Sequence, residues 1–187
     1  VDVGLTRVFL PGRGEIRPST ASNASKDGGK ETFAVFDETH LYVLPELRGM
    51  HATIRRNLRK RKAAEPWSLE TTTMFEAGAE SVAETTWRAL ADKKLGADVV
   101  FDHRAGPDPE EDFDWDDDTE LRSALREAYG PFSNVMDLDG IVAEIRDPET
   151  LKSDAVRYFL NRPSSTELDF IPLGQWDKLP EASPLED

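Results

Sequence analysis

The residues best suited to chemistry lie at positions 33–40, where an apolar run leads directly into two carboxylates. The run extends from Phe33 to Phe36, and Asp37 and Glu38 follow it. A short apolar run of this kind predicts a strand that is buried on both faces of a parallel sheet. Because charges are costly inside such a strand, we expect the carboxylates at its end, where open α/β sheets bind ligands.

Each of the two carboxylates has its own expected task. Asp37 is placed to hold Mg²⁺, directly or through water, as the acidic residue of a Walker B strand does in P-loop NTPases. Glu38 lies one position further on, where a base can orient or deprotonate an attacking water. The alternative is a core strand that ends in a solvated acidic turn, because an apolar run followed by two acids is a short pattern.

Two further groups of side chains are candidates for phosphate contacts. Three hydroxyls end a strand predicted over residues 67–74, and they can bond a phosphate, a water or the carboxylates; they belong to Thr71, Thr72 and Thr73. A helix predicted over residues 41–62 carries cations that could reach a phosphate on DNA or on a neighbouring subunit's nucleotide. The main candidates among these are Arg55, Arg56 and Arg59. The alternatives are ordinary β-propensity for the threonines and a solvated helix face for the arginines.

A Walker A phosphate loop is missing from the sequence. The pattern requires a Gly-Lys pair followed by Ser or Thr, whereas Lys30 is followed by Glu31. The Gly12-Arg13-Gly14 turn does not fit the pattern either. Without the phosphate-cradling amides and lysine, nucleotide binding by this chain alone is expected to be weak.

Composition restricts the classes of protein and of site that remain possible. The 187 residues correspond to about one domain, and the lack of cysteine excludes disulfides and thiolate metal sites. No apolar run approaches a membrane span, so we expect a soluble, cytoplasmic protein. The net charge is −14, but residues 1–62 carry about +5 and the remainder about −19. So acidic a chain is not expected to coat DNA unaided, although its basic first third could touch phosphate.

The rest of the chain predicts further helices, three strands and an acidic loop. Residues 5–10 read as a strand, with a short return strand at 15–18. Ser81 and Glu84 have capping-box spacing for a helix that runs to about residue 94. The other predicted elements are a strand at 97–102, an acidic loop at 108–120, and helices at 120–129 (capped by Thr119), 137–146 and 148–160.

In this order, these features resemble the ATPase region of the large terminase subunit of tailed bacteriophages and prophages. The stretches that carry the resemblance are 26–29, 33–40, 56–61, 67–73 and 78–84. By this resemblance Asp37 and Glu38 match the Walker B pair. Thr71, Thr72 and Thr73 match the coupling motif, which links hydrolysis to motion. Residues 156–163, with Trp176 after them, resemble the connector that precedes the family's nuclease domain.

The resemblance implies a partial α/β fold of the P-loop NTPase (ASCE) type, with a parallel sheet, flanking helices and a helical linker. Residues 1–107 would be the C-terminal part of the ATPase domain, 108–120 an acidic loop, and 121–187 the linker. The family's Walker A loop and nuclease domain would lie outside this chain, which is therefore expected to be a truncated piece that is inactive alone.

The resemblance also implies cofactors, partners and a location. The cofactors are ATP and Mg²⁺, and the partners are double-stranded DNA, the portal protein, the small terminase subunit and further copies of the chain. The location is the bacterial host cytoplasm, and transiently the procapsid. Two alternatives stay open. One is a DExH-type helicase fragment, because Asp37-Glu38-Thr39-His40 fits that box. The other is a catalytically dead interaction module.

Overall fold

The computed structural model describes residues 2–3, 6–19 and 28–164. Lys26, Asp27 and Trp176, which carry part of the resemblance, lie outside the described residues, as does the part of the predicted linker beyond residue 164. The chain divides into two compact units, Val1–Val35 with Leu44–Leu69 and Phe36–Val43 with Glu70–Asp187. The elements confirm a mixed α/β protein with small parallel and antiparallel sheets and five helices in the described residues.

The first unit contains a small antiparallel sheet. Its strands are β1 (Asp2–Val3), β2 (Val8–Phe9) and β3 (Glu15–Ile16), in that spatial order. The predicted strand at 5–10 is therefore shorter than expected, while the short return strand is present. Gly12 turns the chain between β2 and β3 with a φ of 78°, a conformation that glycine adopts without steric cost.

Helix α1 (Pro45–Arg59) also belongs to the first unit. It begins at a proline in its first turn, where the missing N–H has no intrahelical partner to lose. The predicted range 41–62 was thus too long at both ends. Met50, Ile54 and Leu58 recur every four residues and are buried, so they form the packed face of the helix.

The strands β4 (Phe33–Asp37) and β5 (Trp67–Thr71) form a two-stranded sheet. The Trp67 N–H donates to the Thr32 carbonyl at 3.2 Å, and at the other end Thr71 contacts Asp37. Both pairs have nearly the same sequence offset, so the two strands run parallel. Each strand begins in the first unit and ends in the second.

The prediction that β4 is buried on both faces is wrong. Phe36 is buried, but Phe33 is 41% and Val35 54% exposed, and Trp67 and Leu69 on β5 are exposed as well. The Phe33 and Trp67 rings lie 4.2 Å apart between centroids. The reason is that, within the described residues, β4 has a single strand neighbour and nothing buries this apolar face.

Within the described residues, the second unit contains four helices, α2 (Val82–Ala91), α3 (Asp118–Tyr129), α4 (Leu138–Ile145) and α5 (Lys152–Tyr158). Half of the predicted capping box is present, since the Glu84 N–H donates to Ser81 Oγ at 3.1 Å, but the Glu84 carboxylate accepts from the N–H groups of Gly78 and Glu80. Asp117, and not Thr119, caps α3 by accepting two backbone N–H bonds. These bonds hold the pKa of Asp117 below its ordinary value.

The main core of the second unit is formed by α3, α4 and α5. Its fully buried members include Leu121, Leu125, Ala155 and Leu160. The chain also passes close to Leu160 at Gly106, whose N–H donates to the Leu160 carbonyl at 2.8 Å. A Cβ at Gly106 would lie 2.9 Å from a Leu160 methyl, so the close approach requires glycine.

Two other predictions differ from the structure. Residues 97–102 form no strand, and Val100 is 95% exposed, because no neighbouring strand pairs with this stretch among the described residues. The acidic stretch 108–120 is a loop only as far as Asp117, because its last three residues begin α3.

Candidate active site

The ends of β4 and β5 bring the first carboxylate and the first threonine together. The Thr71 hydroxyl donates a hydrogen bond to Asp37 Oδ1 at 2.7 Å. Both residues are exposed, so solvent and small molecules reach them. Neighbouring residues on one face of paired strands project side by side, which explains the contact. The structure therefore places the acidic strand end and the threonine run at the same sheet edge.

Glu38 leaves the strand in an unusual backbone conformation. Its φ of 54° and ψ of 49° are left-handed, a region that residues with a Cβ seldom adopt. A short 3-10 turn over Thr39–Leu41 follows and carries His40 back towards Glu38. The His40 Nδ1 lies 3.0 Å from Glu38 Oε2, with the imidazole buried and the carboxylate half-exposed. Five other described residues with a Cβ also have a positive φ, so the contact with His40, and not the backbone conformation alone, is the structural reason to consider Glu38.

The other two threonines contact His40. The His40 N–H donates to Thr72 Oγ1 at 3.0 Å, and the same oxygen lies 3.0 Å from His40 Nδ1. Thr72 in turn donates to the Thr73 carbonyl, and Thr73 Oγ1 lies 3.3 Å from Nδ1. The sequence allows these hydroxyls to bond the carboxylates directly. In the structure the Thr73 and Glu38 side chains meet through the ring nitrogen of His40.

Helix α5 supplies the surroundings of the imidazole. The Tyr158 ring meets His40 edge-on, with centroids 5.9 Å apart. The Arg157 guanidinium lies over the Tyr158 ring at 4.5 Å and pairs with Asp154 at 2.9 Å and with Glu76 at 3.6 Å. The Arg157 side chain is only 12% exposed. A largely buried cation and an aromatic ring from helix α5 are thus part of this site.

The electrostatics favour a neutral His40 imidazole and a neutral Tyr42 phenol. Burial lowers the pKa of His40 below 6.5, Glu38 opposes this shift, and Arg157 adds to it. Burial also raises the pKa of Tyr42, and the charges of Asp37 and Glu70 raise it further. At neutral pH, His40 and Tyr42 therefore add no charge to the site.

The candidate arginines all lie on helix α1. Arg55, Arg56 and Arg59 are on α1 in the first unit, whereas the carboxylates belong to the second unit. Arg56 donates to Thr53 at 3.1 Å, one turn away, and Arg59 is exposed. Arg55 also has an interaction partner.

The donor set at the strand ends suits Mg²⁺ only in part. Among the described residues no three His, Asp or Glu side chains come together to form a metal cage. Mg²⁺ in nucleotide sites is nevertheless held by one or two carboxylates together with water and phosphate oxygens. Asp37 is exposed, and Thr71 hydrogen-bonds only one of its two carboxylate oxygens. Asp37 can therefore act as the single protein carboxylate of such a site.

Sequence reasoning assigned no role to His40, Arg157 or Tyr158. His40 had a visible signal, because it completes the Asp-Glu-Thr-His box. Arg157 and Tyr158 had none, since their role depends on how α5 packs.

Comparison with known proteins identifies no relative: no protein-family model, curated protein or solved structure matches the chain. In the part of the chain that the structure describes, no helix has the length and apolar character needed to cross a membrane. The functional assignment therefore depends on the residues of this site and on their geometry.

Proposed function

We propose that this chain is a segment of a phage terminase large subunit, the ATP-driven motor that packages viral DNA into procapsids. The observation that carries the proposal is the 2.7 Å hydrogen bond from Thr71 to Asp37. It supports the resemblance because a Walker B strand and a coupling motif must be neighbours for hydrolysis to drive motion. Here two stretches that were matched separately in the sequence meet at one sheet edge.

The three kinds of side chain have different tasks in this proposal. Asp37 binds Mg²⁺ together with the phosphates of ATP, and the bound ion neutralises phosphate charge. Glu38 orients and deprotonates the attacking water. Thr71, Thr72 and Thr73 respond to the state of the carboxylates through direct contact or through His40.

An uncovered apolar face supports the idea that other polypeptide completes the ATPase. Phe33, Val35, Trp67 and Leu69 are all exposed on the pair β4 and β5. Parallel sheets are normally covered on both faces, and a contiguous exposed apolar patch marks an interaction surface. We propose that the part of the motor bearing the phosphate loop covers this face.

The partners follow from the same proposal. They are double-stranded DNA, the portal protein, the small terminase subunit and further copies of the motor. Arg55, Arg56 and Arg59 on α1 are the proposed contacts to DNA phosphates or to a neighbouring subunit's nucleotide. The motor would act in the host cytoplasm and, transiently, on the procapsid.

A DExH-type helicase fragment is the second candidate. It is favoured by one observation, the contact of the last residue of the Asp-Glu-Thr-His box with the threonine run. His40 reaches both Thr72 and Thr73. A helicase would use this contact to couple hydrolysis to strand separation, whereas a packaging motor would use it to move duplex DNA.

The test replaces the threonine run in a complete, packaging-competent motor. Changing Thr71, Thr72 and Thr73 to Val keeps the β-branched shape that strands favour and removes the three hydroxyls. We expect ATP binding to persist and DNA packaging into procapsids to fail. Thr32→Val, at an exposed threonine just before β4, is the matched control and should package normally.

Two outcomes would contradict the proposal. Normal packaging by the triple-Val motor would reduce the threonines to scaffold. ATP-dependent unwinding of duplex DNA by the parent protein, without packaging, would identify the helicase instead.

A further inference from the structure

One ring nitrogen in the candidate site faces three oxygen atoms. His40 Nδ1 lies 3.0 Å from Glu38 Oε2, 3.0 Å from Thr72 Oγ1 and 3.3 Å from Thr73 Oγ1. In a neutral imidazole this nitrogen carries one hydrogen or none. It therefore cannot donate a full hydrogen bond to each neighbour at the same time.

The chemistry of the partners determines which contacts compete. An ionised Glu38 only accepts hydrogen bonds, so its contact requires a proton on Nδ1. Thr72 Oγ1 already accepts the His40 backbone N–H and donates to the Thr73 carbonyl. Its remaining lone pair also accepts only, so Glu38 and Thr72 compete for one Nδ1–H.

The third contact favours the opposite tautomer. Thr73 can donate its hydroxyl hydrogen to Nδ1 only when that nitrogen is unprotonated. In that state Glu38 loses its hydrogen bond to the ring. The orientation of Glu38 and the hydrogen bonds of the threonine run are therefore alternatives set by a single proton.

Contacts with helix α5 disfavour a second proton on the His40 imidazole. Burial and the nearby Arg157 charge disfavour the doubly protonated ring, against the opposing charge of Glu38. Tyr158 packs edge-on against the imidazole. Arg157 is held by Glu76 and Asp154 and is largely buried. A shift of α5 would change both the packing and the field at His40.

We propose that His40 is a positioning residue that holds Glu38 through its Nδ1–H and exchanges this bond with the threonine run, with Arg157 and Tyr158 of α5 controlling the exchange. The role of His40 in catalysis rests on the proposed function, because Glu38 is the base only if the chain is part of an ATPase. The hydrogen-bond exchange itself is a property of this chain and can be tested without nucleotide.

The first test measures the tautomer of His40 in the full chain by long-range ¹H–¹⁵N NMR of the imidazole nitrogens. His51 and His103 are internal references, because they are the other histidines of the sequence. We expect the Nδ1–H form at neutral pH. Glu38→Ala should shift the His40 ring nitrogens and raise the fraction of the Nε2–H form, as Thr73 becomes a donor to Nδ1.

Glu65→Ala is the matched control, since Glu65 is also an exposed glutamate with a left-handed backbone. It should leave the His40 signals unchanged. An Nε2–H ring in the unaltered chain, or His40 signals that do not respond to Glu38→Ala, would overturn the exchange.

The second test uses a complete, ATP-hydrolysing protein that contains this chain. His40→Leu removes the donor and should lower kcat about 10- to 100-fold, the loss expected for one hydrogen bond to a charged group, with KM for ATP little changed. His40→Asn places an amide N–H near the position of Nδ1 and should restore most of kcat. A merely structural histidine would show no such rescue.

Glu38→Gln in the same protein tests the proposed function separately from the role of His40. If Glu38→Gln hydrolyses ATP normally, the proposed function itself fails. If Glu38→Gln is inactive while His40→Leu keeps full kcat, the function survives and the role of His40 is refuted. Equal loss of kcat in His40→Leu and His40→Asn would also refute it.

Discussion

Replacing Thr72 with Val should loosen the turn that follows β4 more than the same change at Thr71. Thr72 Oγ1 accepts the backbone N–H of the buried His40 at 3.0 Å and donates to the Thr73 carbonyl at 2.8 Å. Valine has the same shape and makes neither bond. An unpaired buried donor costs about 1–3 kcal/mol. Because Thr72 is itself exposed and water can reach the carbonyl, we expect about 1–2 kcal/mol.

Amide hydrogen exchange at His40 measures this loss directly. A cost of about 1–2 kcal/mol corresponds to exchange that is roughly 5- to 30-fold faster for the His40 N–H. Thr71→Val is the matched control. It removes a single bond to the exposed Asp37 and should leave His40 exchange unchanged. The reasoning is refuted if His40 exchanges equally fast in Thr72→Val and the unaltered chain, or if Thr71→Val has the larger effect.

Three more predictions concern stability and activity. Glu84→Ala should lower the free energy of unfolding by about 2–4 kcal/mol, because the buried carboxylate accepts the N–H groups of Gly78 and Glu80 at 2.7 and 2.6 Å; a denaturant midpoint equal to that of the unaltered chain contradicts this. Acid should destabilise the second unit through His40, which is packed against Tyr158 and lies near Glu38 and Arg157. The pKa of His40 in the folded state lies below 6.5, so the unfolded state binds the His40 proton first as the pH falls. The contribution of His40 to the free energy of unfolding is therefore complete above about pH 6.5 and is lost as the pH drops towards the folded pKa. Urea unfolding across this range should show the loss, and a His40→Gln chain with the same pH dependence would exclude His40 as its source. The chain alone should hydrolyse ATP at less than about 1 s⁻¹, below ordinary enzyme rates, because its sequence has no Walker A loop; faster turnover by the purified chain would show that another phosphate site exists.

Elements fixed by local chemistry were predictable from the sequence. The helix that begins after Ser81 follows from a capping signal within four residues, and the structure contains the bond from the Glu84 N–H to the Ser81 side chain. The helices α3 to α5 likewise follow from apolar periodicity, with ends that differ by a few residues. Strands depend on partners that are distant in sequence, which is why residues 97–102 remain irregular despite their β-rich composition.

The candidate site was predictable where it depends on strand ends and not where it depends on helix packing. Two parallel strands that end in acids and threonines must present them at one edge, so the contact between Thr71 and Asp37 was foreseeable. The position of Arg157 and Tyr158 beside His40 depends on how α5 packs, and no pattern in the sequence reports this.

The left-handed backbone at Glu38 was also beyond sequence reasoning. Glutamate has no preference for this conformation, so the 3-10 turn that follows must impose it. The same turn brings His40 back to the carboxylate. The contact between Glu38 and His40 therefore depends on the path of the backbone, which no pattern in the sequence reports.

The most direct test of the central claim is a single-turnover measurement in a complete ATPase that contains this chain. Bound ATP and released phosphate would be measured together for Glu38→Gln, with Glu65→Gln as the control. The amide resembles the carboxylate in shape but cannot act as a base. We predict that Glu38→Gln binds ATP with Mg²⁺ as well as the parent protein and releases phosphate at least about 100-fold more slowly. Phosphate release at the parent rate would contradict the assignment of Glu38, and with it the proposed ATPase site.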